Sequence, residues 1–251
     1  MSEQTSRRMR HENARRRTLT VVEKRMLAPH YLAIRFECRD FGDFVSAAAD
    51  DHVKLFLRGG AAEGQRPPMR DYTPRRFDPA AASFEIEFAL HDDPGPATAW
   101  AIGTQPGDTV EIGGPRGSVL LPEGLDWYWL IGDETALPAI GRRLEEWPAA
   151  RMRVLVAVAD SEEEIALATS SAHRIEWVHR PATAAADPAA LLDVLGRETL
   201  PAGNGFVWIA AEAGVARALR EAVVAMGQPL SRIKAAGYWT HGAADTTARF
   251  D

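Results

Sequence analysis

The sequence contains 251 residues, of which 46% are hydrophobic and 25% charged, a globular composition that excludes a disordered chain. A formal net charge of −6 excludes nucleic-acid binding through overall positive charge. Because Met1–Arg17 is polar and no apolar run approaches the about 20 residues of a membrane helix, we expect neither a secretory signal nor membrane insertion.

The first half of the chain predicts a small antiparallel β-barrel. Six arginines lie between Arg7 and Arg17, and we expect this segment to be a solvated arm. From Thr18 onward, short strands alternate with turn signals, as in small barrels and sandwiches. Apolar and acidic residues alternate along Ser83–His91, which predicts a half-buried strand. The predicted strands are Leu19–Lys24, Tyr31–Cys38, His52–Leu57, Ser83–His91 and Thr109–Ile112.

From Trp127 onward the chain alternates strands with helices, which predicts a doubly wound parallel sheet. Trp127–Ile131 is a continuous apolar run, as in a parallel strand covered on both faces. A helix is predicted over Thr135–Trp147, and another opens at Ser161, where Glu164 completes a capping box. The other predicted elements are the strands Arg153–Val158, Arg174–Val178, Phe206–Ala211 and Ile233–Gly237 and the helix Ala213–Met226.

The first candidate for ligand binding is Arg70–Arg75, with the sequence Arg-Asp-Tyr-Thr-Pro-Arg. On a strand, Arg70 and Tyr72 share one face while Thr73 points to the other. An arginine can bind a phosphate through two hydrogen bonds, and a tyrosine can stack on a planar ring. From the spacing alone, an edge strand with ordinary surface residues is the favoured interpretation.

The second candidate is a short helix that begins near Pro96. Proline suits the first helical position, and Gly103 suits the far end. The free amides at the start of a helix bind phosphate, and Thr98 could add a hydroxyl. A helix that only closes the barrel, with Trp100 in the core, is an equally good interpretation.

Two further candidates follow strands in the second half. Gly132–Ala139 lies at the end of the first of these strands, where doubly wound sheets bind ligands. It lacks a glycine-rich dinucleotide fingerprint, and Asp133 and Glu134 would repel a pyrophosphate placed on them. Helix capping by Asp133 or Thr135 is therefore part of the interpretation. Ala210–Gly214 is a turn of small residues that either admits a flat ligand or simply turns tightly.

The chain offers few residues for metal or nucleophilic chemistry. Cys38 is the only cysteine, which excludes an internal disulfide and a cysteine-bound iron–sulfur cluster. The seven histidines are scattered, with no HExxH motif and no close pair, and we expect no metal site. The absence of a Gly-x-Ser-x-Gly motif disfavours a serine hydrolase. This cysteine usage indicates a cytoplasmic protein.

The four candidate segments, in this order, resemble the siderophore-interacting protein family, which comprises flavin-dependent ferric-siderophore reductases of the wider ferredoxin-reductase-like group. The resemblance runs from about Thr18 to Gly242. Its most specific marks are Arg70–Thr73, Gly132–Ala139 and Gly237–Gly242. It implies a six-stranded antiparallel flavin-binding β-barrel followed by a doubly wound parallel-sheet domain of the nicotinamide type. We therefore expect an FAD-binding domain at 18–122 and an NAD(P)H-type α/β domain at 127–242.

The resemblance also implies roles in binding FAD. Arg70 is expected to pair with the diphosphate, Tyr72 to stack on the isoalloxazine ring, and Thr73 to hydrogen-bond near its reactive nitrogen. Tyr72 and Thr73 would thus lie closest to the electron transfer. Two further groups are expected to hold the cofactor, Ala89, Leu90 and His91 by their backbone and the helix start formed by Gly95, Pro96, Ala97 and Thr98.

The implied electron donor is NAD(P)H, with reduced ferredoxin as the alternative. Thr135 and Ala136 are expected to face the nicotinamide, with Glu212 nearby. Arg180, just past the third strand of the α/β domain, is a candidate for the ribose or the 2′-phosphate of the donor. The same residue is equally interpreted as a solvated loop residue.

The implied acceptor is a ferric siderophore. Iron(III) takes one electron, whereas a nicotinamide gives two as hydride, and a flavin can accept the pair and release single electrons. Because ferric siderophores are often anionic, positive charge is expected beside the flavin. The candidate residues are Lys54, Arg75, Arg76, Arg116, Lys234 and His241.

Three functions are compatible with these residues, and the first is favoured. It is a ferric-siderophore reductase that releases ferrous iron. The second is a flavin reductase that serves an oxygenase. The third is a siderophore-binding module without turnover, against which the paired phosphate-binding segments argue. We expect a monomer that binds no nucleic acid.

Overall fold

The computed structural model describes residues 6–57, 68–91 and 94–243, together with a short strand at 248–249. These residues fall into two compact units. The N-terminal unit is Ser6–Leu120, and the C-terminal unit begins at Leu121.

The N-terminal unit is an antiparallel β structure with one helix. Its strands are β1 (Arg7–Arg10), β2 (Arg16–Ala28), β3 (Tyr31–Glu37), β4 (Val53–Phe56), β5 (Met69–Tyr72), β6 (Arg76–Asp78), β7 (Ser83–Ala89), β8 (Thr109–Gly113) and β9 (Gly117–Leu120), and its helix is α1 (Pro96–Gly103). Seven strands form one sheet in the order β5-β4-β8-β2-β3-β7-β6, in which every neighbouring pair is antiparallel. β1 and β9 form a separate antiparallel pair.

The seven-stranded sheet curls back on itself. Its two edge strands, β5 and β6, are consecutive in the chain and only residues 73–75 separate them. The four peptide units between the two strands span at most about 15 Å, so the sheet edges lie close together. The sheet has seven strands where six were predicted, because β5 and β6 pair with different partners. The curled face encloses a core that includes Leu19, Ile34, Phe36, Leu55, Phe84 and Ile112.

Strand β7 is buried more completely than its alternating pattern predicts. The apolar face is in the core, as expected, but Glu85 and Glu87 are buried as well. Glu87 pairs with Arg75, and Glu85 pairs with Arg76 on the neighbouring strand β6. The prediction of a half-buried strand is therefore wrong, because arginine side chains cover the acidic face.

The N-terminal arginine segment is part of two β-strands rather than a free arm, although five of its six arginines are exposed to solvent as predicted. Arg7–Arg10 forms β1, which pairs with β9, and Arg16 begins β2. Arg17 is buried, and its guanidinium donates to a carboxylate oxygen of Asp43 at 2.8 Å and to the carbonyl of Asp40 at 3.1 Å. Hydrogen bonds within the unit thus replace the water that the composition predicted around this arginine.

The C-terminal unit is an α/β structure. Its strands are β10 (Trp127–Asp133), β11 (Met152–Val158), β12 (His173–His179), β13 (Gly205–Glu212), β14 (Ile233–Trp239) and β15 (Ala248–Arg249), and its helices are α2 (Leu137–Glu146), α3 (Ala189–Leu195) and α4 (Ala213–Ala225). The sheet order is β12-β11-β10-β13-β14-β15, parallel except for β15. The order reverses between β10 and β13, the switch point at which such sheets bind ligands. The predicted fold class, an antiparallel sheet followed by a doubly wound parallel sheet, is confirmed.

The helix predicted after β11 is absent. Ser161–Glu163 forms a single 3-10 turn, and Glu164 is already extended. Asp160 caps this turn by accepting a hydrogen bond from the Glu162 amide at 2.8 Å. The predicted capping box is therefore wrong, because Asp160 takes the cap one residue earlier and the backbone leaves the helical region before Glu164 can reach back.

Strand β10 is longer than its apolar run. Gly132 and Asp133 continue the strand, and a 3-10 turn at Glu134–Ala136 precedes α2. A Cβ at Gly132 would meet the carbonyl oxygen of Ala210 at 2.6 Å, so glycine permits this close approach of β10 and β13. Within the described part of the chain, no helix is long and apolar enough to cross a membrane.

Candidate functional site

In the N-terminal unit, Arg70 and Tyr72 lie on the same face of β5. They stand opposite Leu55 and Val53 of β4, both of which are core residues. The ring of Tyr72 packs on Phe88 with centroids 4.5 Å apart, and burial raises the pKa of the Tyr72 hydroxyl. Tyr72 is therefore a neutral aromatic surface at the margin of the core, with the Arg70 guanidinium on the same side of the strand.

The start of helix α1 meets this face of β5. The Tyr72 and Thr98 hydroxyls share a hydrogen bond, which joins the first two candidate segments. Pro96 opens the helix, Gly95 at the N-cap supplies no side-chain bond, and the first turn has no acidic residue. The first amides of a helix have no acceptor within it, so this start attracts an anion.

The remaining predicted cofactor residues lie near the ends of β5 and β7. Thr73 is buried directly after β5. Ala89 ends β7, where it pairs with Tyr31, and the Leu90 amide donates to the carbonyl of His30 at 2.8 Å. His91 is exposed immediately beyond.

Two of the predicted substrate cations are tied into ion pairs with β7. Arg75 is buried, and its Nε lies 3.2 Å from a carboxylate oxygen of Glu87, which is also buried. Arg76 pairs with Glu85 at 2.8 Å. The prediction that Arg75 presents an open charge to an anionic chelate is wrong, because its guanidinium compensates a buried carboxylate.

The other predicted cations of this unit are accessible. Lys54 is half-exposed and donates to Asp71 at 2.7 Å, and this pair lies on the face of β4 and β5 opposite to Arg70 and Tyr72. Arg116 is exposed and has no carboxylate partner among residues 6–57, 68–91 and 94–243. Of these cations, Arg116 therefore presents the least compensated charge.

In the C-terminal unit, Asp133 joins the ends of three strands. One carboxylate oxygen accepts hydrogen bonds from the Thr135 amide, at 3.0 Å, and from the Thr135 hydroxyl. The other accepts from the Glu212 amide and from the Trp239 indole nitrogen, both at 2.9 Å. Asp133 is buried, so this one carboxylate fixes the Thr135 hydroxyl, the end of β13 and the ring of Trp239 together.

Glu212 closes the same cluster. Its carboxylate accepts from the amides of Gly214 and Val215 at the start of α4, and from the His241 amide at 3.2 Å. Thr135 is half-exposed beside it, whereas Ala136 is fully buried. Ala136 is therefore available to a ligand only through its backbone.

Arg180 forms an ion pair with Glu134 in this unit. One guanidinium nitrogen lies 2.7 Å from a carboxylate oxygen of Glu134, and Arg180 is buried. Burial raises the pKa of Glu134 to about 7, with the Asp133 charge also raising it and Arg180 lowering it. Arg180 is thus an internal partner of a carboxyl rather than a solvated loop residue.

The structure also places the two remaining substrate candidates. Lys234 is half-buried on β14 opposite Trp208, and His241 is exposed two residues after that strand.

Sequence reasoning missed Trp239 and the partnership of Glu134 with Arg180. The signal for Glu134 was the pair of acidic residues directly after an apolar strand, which is an unusual place for charge. No group of three or more potential metal ligands occurs in the described residues.

Two family models match the chain. The model described as "Siderophore-interacting FAD-binding domain" matches residues 58–119, and the model described as "Siderophore-interacting protein" matches residues 125–242. An NADPH-dependent ferric-chelate reductase of Escherichia coli K12 is 33% identical in an alignment of 242 positions that covers 89% of this chain and 92% of that protein. The chain belongs to the siderophore-interacting protein family. The resemblance stated from the sequence is confirmed.

Other members of the family support this placement. The crystal structure of a siderophore utilization protein from T. fusca is 32% identical, covers 98% of this chain and 99% of its own, and superposes with a TM-score of 0.85. A ferric vibriobactin reductase of Vibrio cholerae is 28% identical in an alignment of 207 positions that covers 75% of this chain and 74% of that protein.

Proposed function

We propose that this siderophore-interacting protein is an FAD-dependent ferric-siderophore reductase. It takes electrons from NAD(P)H, or from reduced ferredoxin, and passes them through FAD to a ferric chelate, which then releases ferrous iron. The observation that carries the proposal is the contact between Tyr72 and Thr98, because it brings an arginine, an aromatic ring and an uncapped helix start to one face of the N-terminal unit. The reductase names of the Escherichia coli and Vibrio cholerae relatives agree with it.

The residues of this face fit FAD. A diphosphate needs positive charge and free amide donors, which Arg70 and the first turn of α1 supply. A Cβ at Gly95 would meet no atom of the described residues within 4 Å, so none of them fills the space beside this glycine. Tyr72 would stack on the isoalloxazine ring, and Thr73 would hydrogen-bond to its edge. When bound, FAD takes up a hydride equivalent and releases single electrons to iron(III).

Backbone atoms complete the proposed cofactor site. Ala89 is the last residue of β7, and Leu90 and His91 follow it, where strand pairing stops. The Leu90 amide already donates to the carbonyl of His30, so the other backbone groups of this segment are the candidates for FAD. These peptide groups would hold the polar edges of FAD.

No acid, base or nucleophile is required of this chain, because electron transfer to a chelated iron is outer-sphere.

The C-terminal unit supplies the donor site in this proposal. Thr135 and Glu212 lie at the ends of β10 and β13, on either side of the switch point of the sheet. Thr135 would face the nicotinamide, the backbone of Ala136 would border it, and Arg180 would serve the ribose or its phosphate. Asp133 holds the Thr135 hydroxyl in one orientation.

An anionic ferric chelate requires compensating positive charge. Arg116 is the strongest candidate because it is exposed and unpaired among the described residues, and Lys54, Lys234 and His241 are the other candidates. Arg75 is withdrawn from this set because Glu87 neutralises it.

A cytoplasmic monomer is part of the proposal, and the buried free thiol of Cys38 is compatible with a reducing compartment.

The decisive experiment compares donor oxidation with and without iron. Purified protein should carry FAD absorption bands, and NADPH oxidation should depend on an added ferric siderophore, with ferrous iron captured by a chromogenic chelator. Oxidation that depends on free flavin instead would favour a flavin reductase. A colourless protein that binds the chelate and cannot be reconstituted with FAD would favour a carrier.

The charge assignment has its own test. Arg116→Ala should raise the KM for an anionic ferric chelate several-fold and leave that for a neutral chelate unchanged. The matched control is Arg151→Ala, which removes an exposed arginine from the C-terminal unit. Equal effects of Arg116→Ala on both chelates, or an equal effect of the control, would reject a role for Arg116 in substrate binding.

A further inference from the structure

The Glu134–Arg180 pair spans the carboxyl ends of three neighbouring strands. Arg180 follows β12, and its amide donates to the carbonyl of Val158 at the end of β11 at 3.0 Å. Its side chain continues across to Glu134, directly after β10. Adjacent strands lie about 4.8 Å apart, so the pair bridges roughly 10 Å of the sheet edge on which nucleotides bind in this fold class.

Arg180 keeps unused hydrogen-bond donors. A guanidinium carries five N–H groups, and in the described residues the Arg180 side chain bonds only to Glu134. The Arg180 side chain is 5% exposed. Its nitrogens that have no hydrogen-bond partner are not completely enclosed by protein. The unpaired nitrogens therefore reach solvent, and they can meet a ligand at the sheet edge.

Glu134 is a carboxyl whose charge changes near neutral pH. Burial is the main reason that its pKa rises to about 7. The charged groups that act on it are Asp133, which precedes it on β10, and Arg180, which reaches it from beyond β12. At neutral pH, Arg180 thus faces a carboxylate in part of the molecules and a neutral carboxyl in the rest.

We propose that Glu134 and Arg180 together select the electron donor by its 2′-substituent. An ionised Glu134 occupies Arg180 and offers an acceptor to a ribose 2′-hydroxyl, whereas a protonated Glu134 frees Arg180 to bind a 2′-phosphate. This inference rests on the nicotinamide donor site of the proposed function. In other dinucleotide-binding sites, an acidic residue accepts a hydrogen bond from the ribose 2′-hydroxyl. The inference assigns this role to Glu134.

The charges determine the direction of the preference. A 2′-phosphate carries close to two negative charges, and an ionised Glu134 beside Asp133 would place two carboxylates near it. Protonation of Glu134 removes one of these and leaves the Arg180 charge uncompensated. Binding of a 2′-phosphate and ionisation of Glu134 therefore oppose each other.

The test is calorimetric binding of two nucleotides that need neither flavin nor iron. Adenosine 2′,5′-bisphosphate carries the 2′-phosphate, and adenosine 5′-monophosphate has a hydroxyl in its place. Between pH 8.5 and 6.5 the protonated fraction of Glu134 rises about 25-fold, so the affinity of the wild-type protein for the bisphosphate should rise by a comparable factor. The monophosphate should show no gain.

Two variants separate this mechanism from a general charge effect. Glu134→Gln should bind the bisphosphate at pH 8.5 about 30-fold more tightly than the wild-type protein and lose most of the pH dependence. The matched control is Glu164→Gln, which removes the carboxylate that pairs with His179, the neighbour of Arg180. Arg180→Gln should abolish the preference for the bisphosphate at both pH values.

The inference is overturned if Glu134→Gln binds the bisphosphate no more tightly than the wild-type protein, or if Glu164→Gln produces the same gain. Should Glu134→Gln fail to fold, the wild-type pH series decides, and equal pH dependence for both nucleotides overturns the inference. Failure of both nucleotides to bind at pH 6.5 would also overturn it. Ferric reduction with ferredoxin as donor is measured separately, so the proposed function can survive that result.

Discussion

Replacing Asp133 with asparagine probes the junction of three strands in the C-terminal unit. The carboxylate accepts four hydrogen bonds, two on each oxygen, and it is buried. In Asp133→Asn, one oxygen becomes an NH2 group that cannot accept. The NH2 group can take either of two positions. On the side of Glu212 and Trp239 it would face two N–H donors, whereas on the side of Thr135 it would face one N–H donor and a hydroxyl that can rotate.

The less costly orientation directs the new amide toward Thr135. It gives up the hydrogen bond from the Thr135 amide and weakens the others, because the acceptor is no longer charged. A hydrogen bond to a charged group contributes about 1.5–3 kcal/mol, so we expect the free energy of unfolding of this unit to fall by about 2–4 kcal/mol. The Thr135 hydroxyl would also turn, which should raise the KM for the nicotinamide donor.

Tryptophan fluorescence during urea unfolding is the suitable assay. Six of the seven tryptophans lie in the C-terminal unit, with only Trp100 in the other, so the signal reports on the unit that contains Asp133. Asp160→Asn is the matched control, because Asp160 also caps a turn after a strand but its loss of an acceptor oxygen affects only one exposed amide. We expect the control to cost less than about 1 kcal/mol.

The reasoning is refuted if Asp133→Asn costs no more than Asp160→Asn. It is equally refuted if Trp239→Phe, made in the asparagine background, costs as much as it does alone. The wild-type indole donates to a carboxylate, whereas in the variant its acceptor is neutral, so the two substitutions must be less than additive.

Two further predictions concern buried carboxyls. Arg75→Met leaves Glu87 buried without its partner and should cost about 3–5 kcal/mol near neutral pH. Burial already raises the pKa of Glu87, and loss of Arg75 raises it further. The cost of the substitution should therefore shrink as pH falls and the Glu87 carboxyl protonates. Equal costs in urea unfolding at pH 5 and at pH 8 would contradict this prediction. The pKa of Glu134 is raised from 4.5 to about 7, so its contribution to stability is present below pH 4.5 and lost as pH rises through 7. Relative to Glu134→Gln, the wild-type protein should therefore lose up to about 3 kcal/mol between these limits, and parallel stability curves for the two proteins would exclude this.

Local patterns in the sequence were sufficient for the fold class. The apolar run after Trp127 predicted a strand covered on both faces, and β10 is buried throughout. Such patterns succeed because periodicity reports which side of an element avoids water. The alternation along β7 predicted its core face for the same reason, but it could not report that Arg75 and Arg76 cover the other face.

The candidate site divides in the same way. The residue types of Arg70–Thr73 and of Gly95–Thr98 pointed to a phosphate and a flat ring, and their order pointed to the family. Their meeting through Tyr72 and Thr98 depends on how the curled sheet brings β5 to α1, which no local pattern encodes.

The partner of each buried charged side chain follows from the three-dimensional fold. Asp133 and Trp239 are 106 positions apart in the chain, and Glu134 and Arg180 are 46 apart. Their side chains meet because parallel strands end at one edge of the sheet, and the strand order β12-β11-β10-β13-β14 determines which ends are neighbours. The sequence identified the charged residues and most strands of the two sheets, but it missed β1, β6, β9 and β15. Whether each charge faces water, a ligand or another charge follows from strand order and burial, because these set the distance and the dielectric environment of every pair.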